Sequence, residues 1–190
     1  MSESIIVFTH RTREFLTKLN GSTSWSLSPT RAIKCDYLVC SRNAKSPLAV
    51  EDFAHGSAFL VAKVSNVTQS INLPRDEARY MIEFQEFAEV ELPNFWKGWR
   101  SPVIYKKTGD LGIDFASLNW LPVPERDHQF IEDYFSKENS FYESTETTSH
   151  HSRERRLLKR QKGLSIKAAK QELSLFYDVP ETDIDIIIRG

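Results

Sequence analysis

The order of apolar and polar positions predicts that residues 1–125 form mainly β-strands. Short runs rich in β-branched and aromatic residues recur here, separated by turns that contain Gly, Pro or Asn. The predicted strands are SIIVF (4–8), TSWSL (23–27), CDYLVCS (35–41), GSAFLVAKVSNV (56–67), RYMIEFQEFAEVEL (79–92) and SPVIYKK (101–107). Between the first two, apolar residues at helical spacing predict a short helix over 11–19, which Asn20-Gly21 ends with a positive φ.

The longest predicted strand contains an interruption. Apolar and polar residues alternate regularly up to Phe84 and again from Ala88, but Gln85, Glu86 and Phe87 are out of phase. The polar doublet Gln85-Glu86 predicts a β-bulge, which bends a strand. Many strands, few helices and this bend favour an α+β fold, a small and strongly bent mixed β-sheet or β-barrel with short helices.

The pattern changes beyond residue 125, where three further segments are predicted. Residues 126–142 form an acidic-aromatic helix, since their large apolar residues recur at helical spacing. Residues 143–152 contain no aliphatic side chain and form a polar linker. Residues 153–190 form a basic helix and a C-terminal helix–strand appendage, whose terminal strand needs a partner sheet in this chain or in a homodimer.

Charge is balanced over the whole chain, with a net charge of −1, but it is segregated in the last third. The net charge is −4 over 126–149, +7 over 150–170 and −4 over 171–190. The basic block predicts contacts with a phosphate backbone. The residues predicted to make them are Arg153, Arg155, Arg156, Lys159 and Arg160. Alternatively, these cations pair with the acidic blocks on either side.

Size and composition suit one domain with an appendage. The chain has 190 residues, of which 40% are hydrophobic and 12% aromatic, enough to build a substantial core. The first apolar run is shorter than a signal peptide requires, and none approaches the roughly 20 apolar residues of a membrane span. A cytoplasmic protein without membrane contact is therefore expected.

Polar and aromatic residues lie next to several predicted strand ends, often beside a glycine. Arginine offers a planar fork to phosphates and base edges, and tryptophan offers a flat surface on which a base can stack. We therefore predict a pocket for a nucleobase of DNA or RNA. Its predicted members are Arg11, Trp25, Arg31, Arg42, Asn43, His55, Trp99, Arg100 and Tyr105. The alternative is that such aromatic–arginine neighbours are structural cation–π contacts at the edge of a core.

His10 and His55 allow a second hypothesis, a metal-independent nuclease or toxin. One imidazole could act as general base and the other as general acid on RNA. Common catalytic and phosphate-loop motifs are absent from the sequence, which favours a role other than catalysis. Neither the two cysteines nor His150-His151 have the spacing of a metal site, so no metal or cofactor is expected.

The segments SIIVF, TSWSL, HGSAFLVAKVSNV and FWKGWRSPVIY give residues 1–125 a resemblance to the PUA-like superfamily, which includes EVE, ASCH and YTH domains. The resemblance implies a bent β-barrel that reads a modified base of DNA or RNA in an aromatic pocket, without catalysis. The tail resembles segments appended to bacterial and phage proteins, which implies such a setting and a link to defence. A third hypothesis follows, a protein-interaction factor such as an inhibitor that docks through residues 126–190.

Overall fold

The computed structural model describes residues 2–50, 52–70, 79–141, 170, 173–174 and 179–186. The chain divides into two compact units, Met1–Glu138 and Asn139–Gly190. The first unit is a mixed α+β fold in which a strongly curled, half-barrel sheet is combined with a few short helices. The predicted α+β class and the strongly bent mixed sheet with short helices are therefore confirmed for this unit.

All six predicted strands are present, with ends within two residues of the prediction. The elements are β1 (Glu3–Thr9), α1 (Arg13–Leu19), β2 (Gly21–Trp25), α2 (Pro29–Ala32), β3 (Tyr37–Arg42), β4 (Ala58–Gln69), β5 (Tyr80–Leu92), β6 (Val103–Lys107), β7 (Leu121–Pro122) and α3 (128–141). Short 3₁₀ helices cover Thr108–Leu111 and Glu181–Asp183. Helix α1 ends as predicted, with Asn20 in the left-handed region at φ 59°. In the described part of the chain, no helix combines the length and the apolar character needed to cross a membrane.

The sheet has the strand order β2-β5-β4-β3-β1-β6, and the short β7 also pairs with β5. Strands β1 and β3 run parallel, whereas the other pairs are antiparallel. Because β1 and β3 are parallel neighbours, their carboxyl ends meet at one edge of the sheet, where Thr9 lies opposite Arg42. The residues that follow these two strands are therefore brought together.

The predicted bulge in β5 is confirmed. Ala62 of β4 lies opposite Phe87, and Val64 lies opposite Phe84, so two steps along β4 match three steps along β5. The extra residue changes which face the following side chains occupy. Phe84 and Phe87 therefore both belong to one hydrophobic cluster, while Val90 packs against the cluster on the other face.

The two faces of the sheet carry separate cores. The first core includes Phe15 and Leu16 of α1 and Ile131 of α3, and the second includes Ile6 and Val39 with the loops after β5 and β6. Aromatic residues of α3 pack on Phe15, as their predicted helical spacing requires. The ring centroids of Tyr134 and Phe135 lie 4.0 and 5.5 Å from that of Phe15.

The second unit is described only in part. The predicted linker 143–152 and the five basic residues predicted to contact phosphate, Arg153, Arg155, Arg156, Lys159 and Arg160, lie outside the described residues. Among the residues described in this unit, Lys170 and Asp185 form an ion pair at 4.0 Å. Of the predicted terminal strand only 184–186 are described, and these three residues are not in a strand.

Candidate functional site

The side chain of Arg42 is fully buried where the parallel strands β1 and β3 end. Its Nη1 donates hydrogen bonds to the carbonyl oxygens of His10 and Arg11, and its Nη2 donates to that of Val50 at 2.6 Å. Its Nε lies 2.6 Å from Oδ1 of Asp52, an ion pair in which the N–H direction falls outside hydrogen-bond geometry. Burial lowers the pKa of the Arg42 guanidinium and the Asp52 carboxylate opposes this, so the group remains charged. The guanidinium of Arg42 is therefore occupied by contacts within the protein.

A second buried charge cluster joins the end of β1 to α3. Glu138 accepts a hydrogen bond from Nη2 of Arg11 at 2.9 Å and contacts Nε2 of His10 at 3.0 Å. Burial alone would raise the pKa of Glu138, but the hydrogen bonds and charges of His10 and Arg11 outweigh it and hold the pKa below its usual value. The Arg11 guanidinium also lies 5.3 and 5.5 Å from the ring centroids of Phe15 and Phe135. Arg11 therefore stabilises the docking of α3 on the sheet.

On the opposite face, four rings form a continuous series that we call the aromatic ladder: His55, Phe8, Trp96 and Trp99. The Phe8 ring stacks on Trp96 with centroids 4.4 Å apart and an interplanar angle of 10°. His55 meets the edge of Phe8 at 5.3 Å, and Trp99 meets Trp96 at 4.8 Å and 82°. Nζ of Lys106 lies 5.7 Å from the centroid of Trp99. The ladder is thus an aromatic surface with a cation at one end.

Backbone hydrogen bonds hold the ladder in place. The Trp96 N–H donates to the carbonyl of Gly56 at 2.8 Å, and the Gly56 N–H donates to the carbonyl of Arg42 at the same distance. Gly56 has φ +82° and Gly98, between the two indoles, has φ +74°, values that favour glycine. Both glycines therefore shape the loops that carry the ladder, and the buried Arg42 anchors it.

Three cations lie near Trp99: Lys106 is close to its ring, and Lys97 and Arg100 are its near neighbours in the chain. Trp99 is half-buried, Arg100 and Lys97 are exposed, and Nζ of Lys97 donates to the carbonyl of Asn94 at 2.8 Å. Within the part of the chain that the structure describes, neither Arg100 nor Lys106 makes an ion pair. These charges are therefore available to an anionic ligand.

A second aromatic series shows the contrast. Tyr37 stacks on Phe115 and Trp120, and Nζ of Lys63 lies 4.7 Å from the Trp120 centroid. Here, however, Lys63 pairs with Glu86 at 2.8 Å, and the indole N–H of Trp120 donates to the carbonyl of Phe115. The second series is internally satisfied, which makes it a natural control for the ladder.

The remaining predicted residues lie elsewhere. The Arg31 guanidinium lies 4.1 Å from the ring centroid of Tyr105 and pairs with Glu3, the structural cation–π contact that the sequence left as an alternative. Trp25 packs against the first core and donates its indole N–H to Ser22. The Asn43 N–H donates to the carbonyl of Thr9 at 2.8 Å.

The nine predicted residues therefore do not converge on one pocket. Of the nine, only His55 and Trp99 belong to the ladder, where they lie at opposite ends, and Arg100 is next to Trp99 in the chain. Arg11 and Arg42 are buried in charge clusters. The buried strand ends around them leave carbonyl and carboxylate oxygens that need a hydrogen-bond donor.

The two histidines of the nuclease hypothesis have different surroundings. His10 contacts Glu138 of α3, which packs on the first core, whereas His55 contacts Phe8, which stacks on Trp96 of the second. The cysteines offer no nucleophile at neutral pH. Cys35 and Cys40 are buried and form no disulfide, and burial raises the pKa of both thiols, that of Cys35 to about 11.

Sequence reasoning missed several partners. Asp52 follows Arg42 by ten residues in the loop before β4, Glu138 is distant in sequence from Arg11, and Phe8 was assigned only to a strand. One signal was present for Glu138, because it lies three and seven residues after Phe135 and Ile131 and so continues their buried face. An acid at such a position predicts a buried basic partner.

No protein-family model, curated protein or solved structure matches this chain.

Proposed function

We propose that the unit Met1–Glu138 binds single-stranded DNA or RNA by stacking an unpaired nucleobase, plain or modified, on the aromatic ladder. The single observation that carries this proposal is the contact series from His55 to Trp99, which ends beside cations that have no carboxylate partner among the described residues. A base stacks on an aromatic side chain with about 1–3 kcal/mol, whatever its sequence.

Each part of the ladder has a distinct role in this proposal. The half-buried Trp99 offers indole surface to the base. Trp96 packs against Trp99, and Phe8 in turn stacks on Trp96. Arg100 and Lys106 contact the adjacent phosphates. Arg42 does not touch the ligand but fixes the loop that carries Gly56, so its role is to position the site.

The curled half-barrel supports a finer proposal, that this unit is a PUA-like domain. A strongly bent mixed sheet with short helices is the architecture that the sequence resemblance implies. In this interpretation the ladder replaces the single enclosed pocket that the sequence predicts, and recognition depends on an open aromatic surface.

The test is a titration of the full-length protein with short labelled oligonucleotides, single-stranded and duplex, plain and base-modified, at low and high salt. We expect Trp99→Ala to weaken single-strand binding roughly ten- to hundredfold, as the loss of one stacked base requires. Arg100→Ala should weaken binding and reduce the salt dependence by about one counterion. Trp120→Ala, in the internally satisfied series, is the matched control and should bind like the wild type.

High salt separates the ladder from any contribution of the basic block at 150–170, since binding by charge alone falls steeply with ionic strength. Circular dichroism establishes that each variant is folded. If folded Trp99→Ala binds single strands as tightly as the wild type at high salt, the ladder is not the binding surface.

A further inference from the structure

A groove with a volume of about 410 Å³ lies between α1, the loop that precedes β4, and strand β5. This volume is within the range of roughly 300–1,000 Å³ typical of sites for small molecules. The residues that give the groove its chemistry are Arg13, Glu14, Asp52, Phe53, Phe87 and Glu89. None of them belongs to the aromatic ladder, so the groove is a separate feature.

Phe53 gives the groove an aromatic surface. One face of its ring stacks on the buried Phe59, with centroids 5.1 Å apart and an interplanar angle of 13°. The guanidinium carbon of Arg13 lies over the Phe53 ring, 5.4 Å from its centroid. The protein thus already places a planar cation on this ring, an arrangement favoured by the ring quadrupole.

Arg13 is held there weakly. Its Nη1 lies 3.0 Å from Oε2 of Glu89, and the two side chains are 34% and 51% exposed. Ion pairs at this exposure contribute little to stability, because water screens them and long side chains lose entropy on pairing. Arg13 can therefore leave the groove at small cost, and a guanidinium from elsewhere can take its place.

The charges that line the groove favour a cation. Three carboxylates, Glu14, Asp52 and Glu89, face one lining cation, Arg13. Glu14 also pairs with Lys18 and Asp52 with the buried Arg42, but neither of these bases lines the groove. An anionic ligand such as a nucleotide would meet carboxylates, whereas a cation would be attracted by them.

We propose that this groove is a binding site for a small molecule carrying a guanidinium group, which displaces Arg13 and lies between the Phe53 ring and the Glu89 carboxylate. Arg13 then acts as a built-in competitor, since the free protein must expel its own guanidinium before the ligand enters. The inference does not depend on nucleic-acid binding by the ladder.

Arginine amide and citrulline amide provide the test, because the citrulline side chain has nearly the shape of the arginine side chain but lacks the guanidinium charge. Binding to the full-length protein is followed by calorimetry and by NMR shifts. We expect arginine amide to bind and citrulline amide to bind at least tenfold more weakly. Arg13→Ala should tighten arginine amide binding about three- to tenfold by removing the competitor, and Glu89→Gln should weaken it by a similar factor.

Two further variants make the outcome decisive. Phe53→Leu keeps the apolar volume but removes the ring face, so it should weaken binding; a circular dichroism spectrum shows whether it is folded. Arg31→Ala removes an exposed arginine that does not line the groove and should leave binding unchanged. Equal binding of the two amides, or no binding to folded Arg13→Ala, overturns the proposal.

Discussion

Replacing Arg42 by Met removes the buried guanidinium at the edge of the sheet but keeps a long, unbranched side chain. In the wild type this group donates to the carbonyls of His10, Arg11 and Val50 and pairs with Asp52. The substitution leaves the Asp52 carboxylate without its cation. It also leaves the carbonyls of His10 and Arg11 without this donor.

The structure sets the size of the effect. Removing one partner of a buried ion pair costs about 3–5 kcal/mol, and each buried polar group left unpaired costs about 1–3 kcal/mol. The Asp52 side chain is 21% exposed and Val50 is 53% exposed, so water can reach these two groups after the substitution and reduce the cost. We therefore expect Arg42→Met to lower the free energy of unfolding by about 3–5 kcal/mol, out of the 5–15 kcal/mol typical of a domain.

Urea unfolding followed by tryptophan fluorescence measures this directly. With a urea dependence of about 2 kcal/mol per molar, a loss of about 4 kcal/mol lowers the midpoint by about 2 M. Arg31→Met is the matched control, because Arg31 pairs with Glu3 at the surface and its loss should shift the midpoint far less. Adding Asp52→Asn to Arg42→Met should recover part of the loss, since the unpaired carboxylate is then gone. Equal midpoint shifts for Arg42→Met and Arg31→Met would refute the reasoning.

Two further predictions concern Glu138 and Gly21. Because the pKa of Glu138 is lowered in the folded state, its stabilising contribution is present above the ordinary glutamate pKa of about 4.3 and is lost as the pH falls below it. Glu138→Gln should therefore be less stable than the wild type at neutral pH in thermal unfolding, with the difference shrinking on acidification; a constant difference would contradict this. A Cβ at Gly21 would lie 2.9 Å from the backbone oxygen of Ile82, so Gly21→Ala should destabilise the protein by about 1–3 kcal/mol. Gly109→Ala, where nothing lies within 4 Å, should be close to neutral, and equal effects of the two substitutions would show that β2 can shift.

Local signals in the sequence were sufficient to predict the elements of the first unit. They were not sufficient to predict which distant residues pair with one another. The bulge at Gln85-Glu86 was visible because it breaks a period of two, and its presence in β5 needs no knowledge of the partner strand. Its effect on the faces could not be predicted from the alternation, because residues of equal parity lie on one face only in a regular strand. The extra residue puts Phe84 in the first core and Val90 against the second.

The candidate site was harder to predict, because burial rather than residue type decides what an arginine does. Arg11, Arg42 and Arg100 all lie beside predicted strand ends, yet the first two are buried among oxygen atoms and only the third is exposed. The distinction depends on Asp52, in the loop that follows β3, and on Glu138, which the fold brings to Arg11 from a distant part of the chain. Periodicity along one segment contains no information about such partners.

Arg42 connects the two proposed sites, and this determines which variants can separate them. Its backbone holds Gly56, to which Trp96 of the aromatic ladder is bonded, while its side chain holds Asp52 at the wall of the groove. Because a substitution keeps the backbone carbonyl that holds Gly56 but removes the side chain that holds Asp52, Arg42→Met should weaken guanidinium binding more than nucleic-acid binding, besides lowering stability. Trp99 and Arg13 lie on opposite faces of the sheet and share no partner. The changes that Trp99→Ala and Arg13→Ala cause in the free energy of unfolding should therefore add in the double variant. Coupling between these two substitutions would indicate that the sheet edge responds as one unit to either ligand.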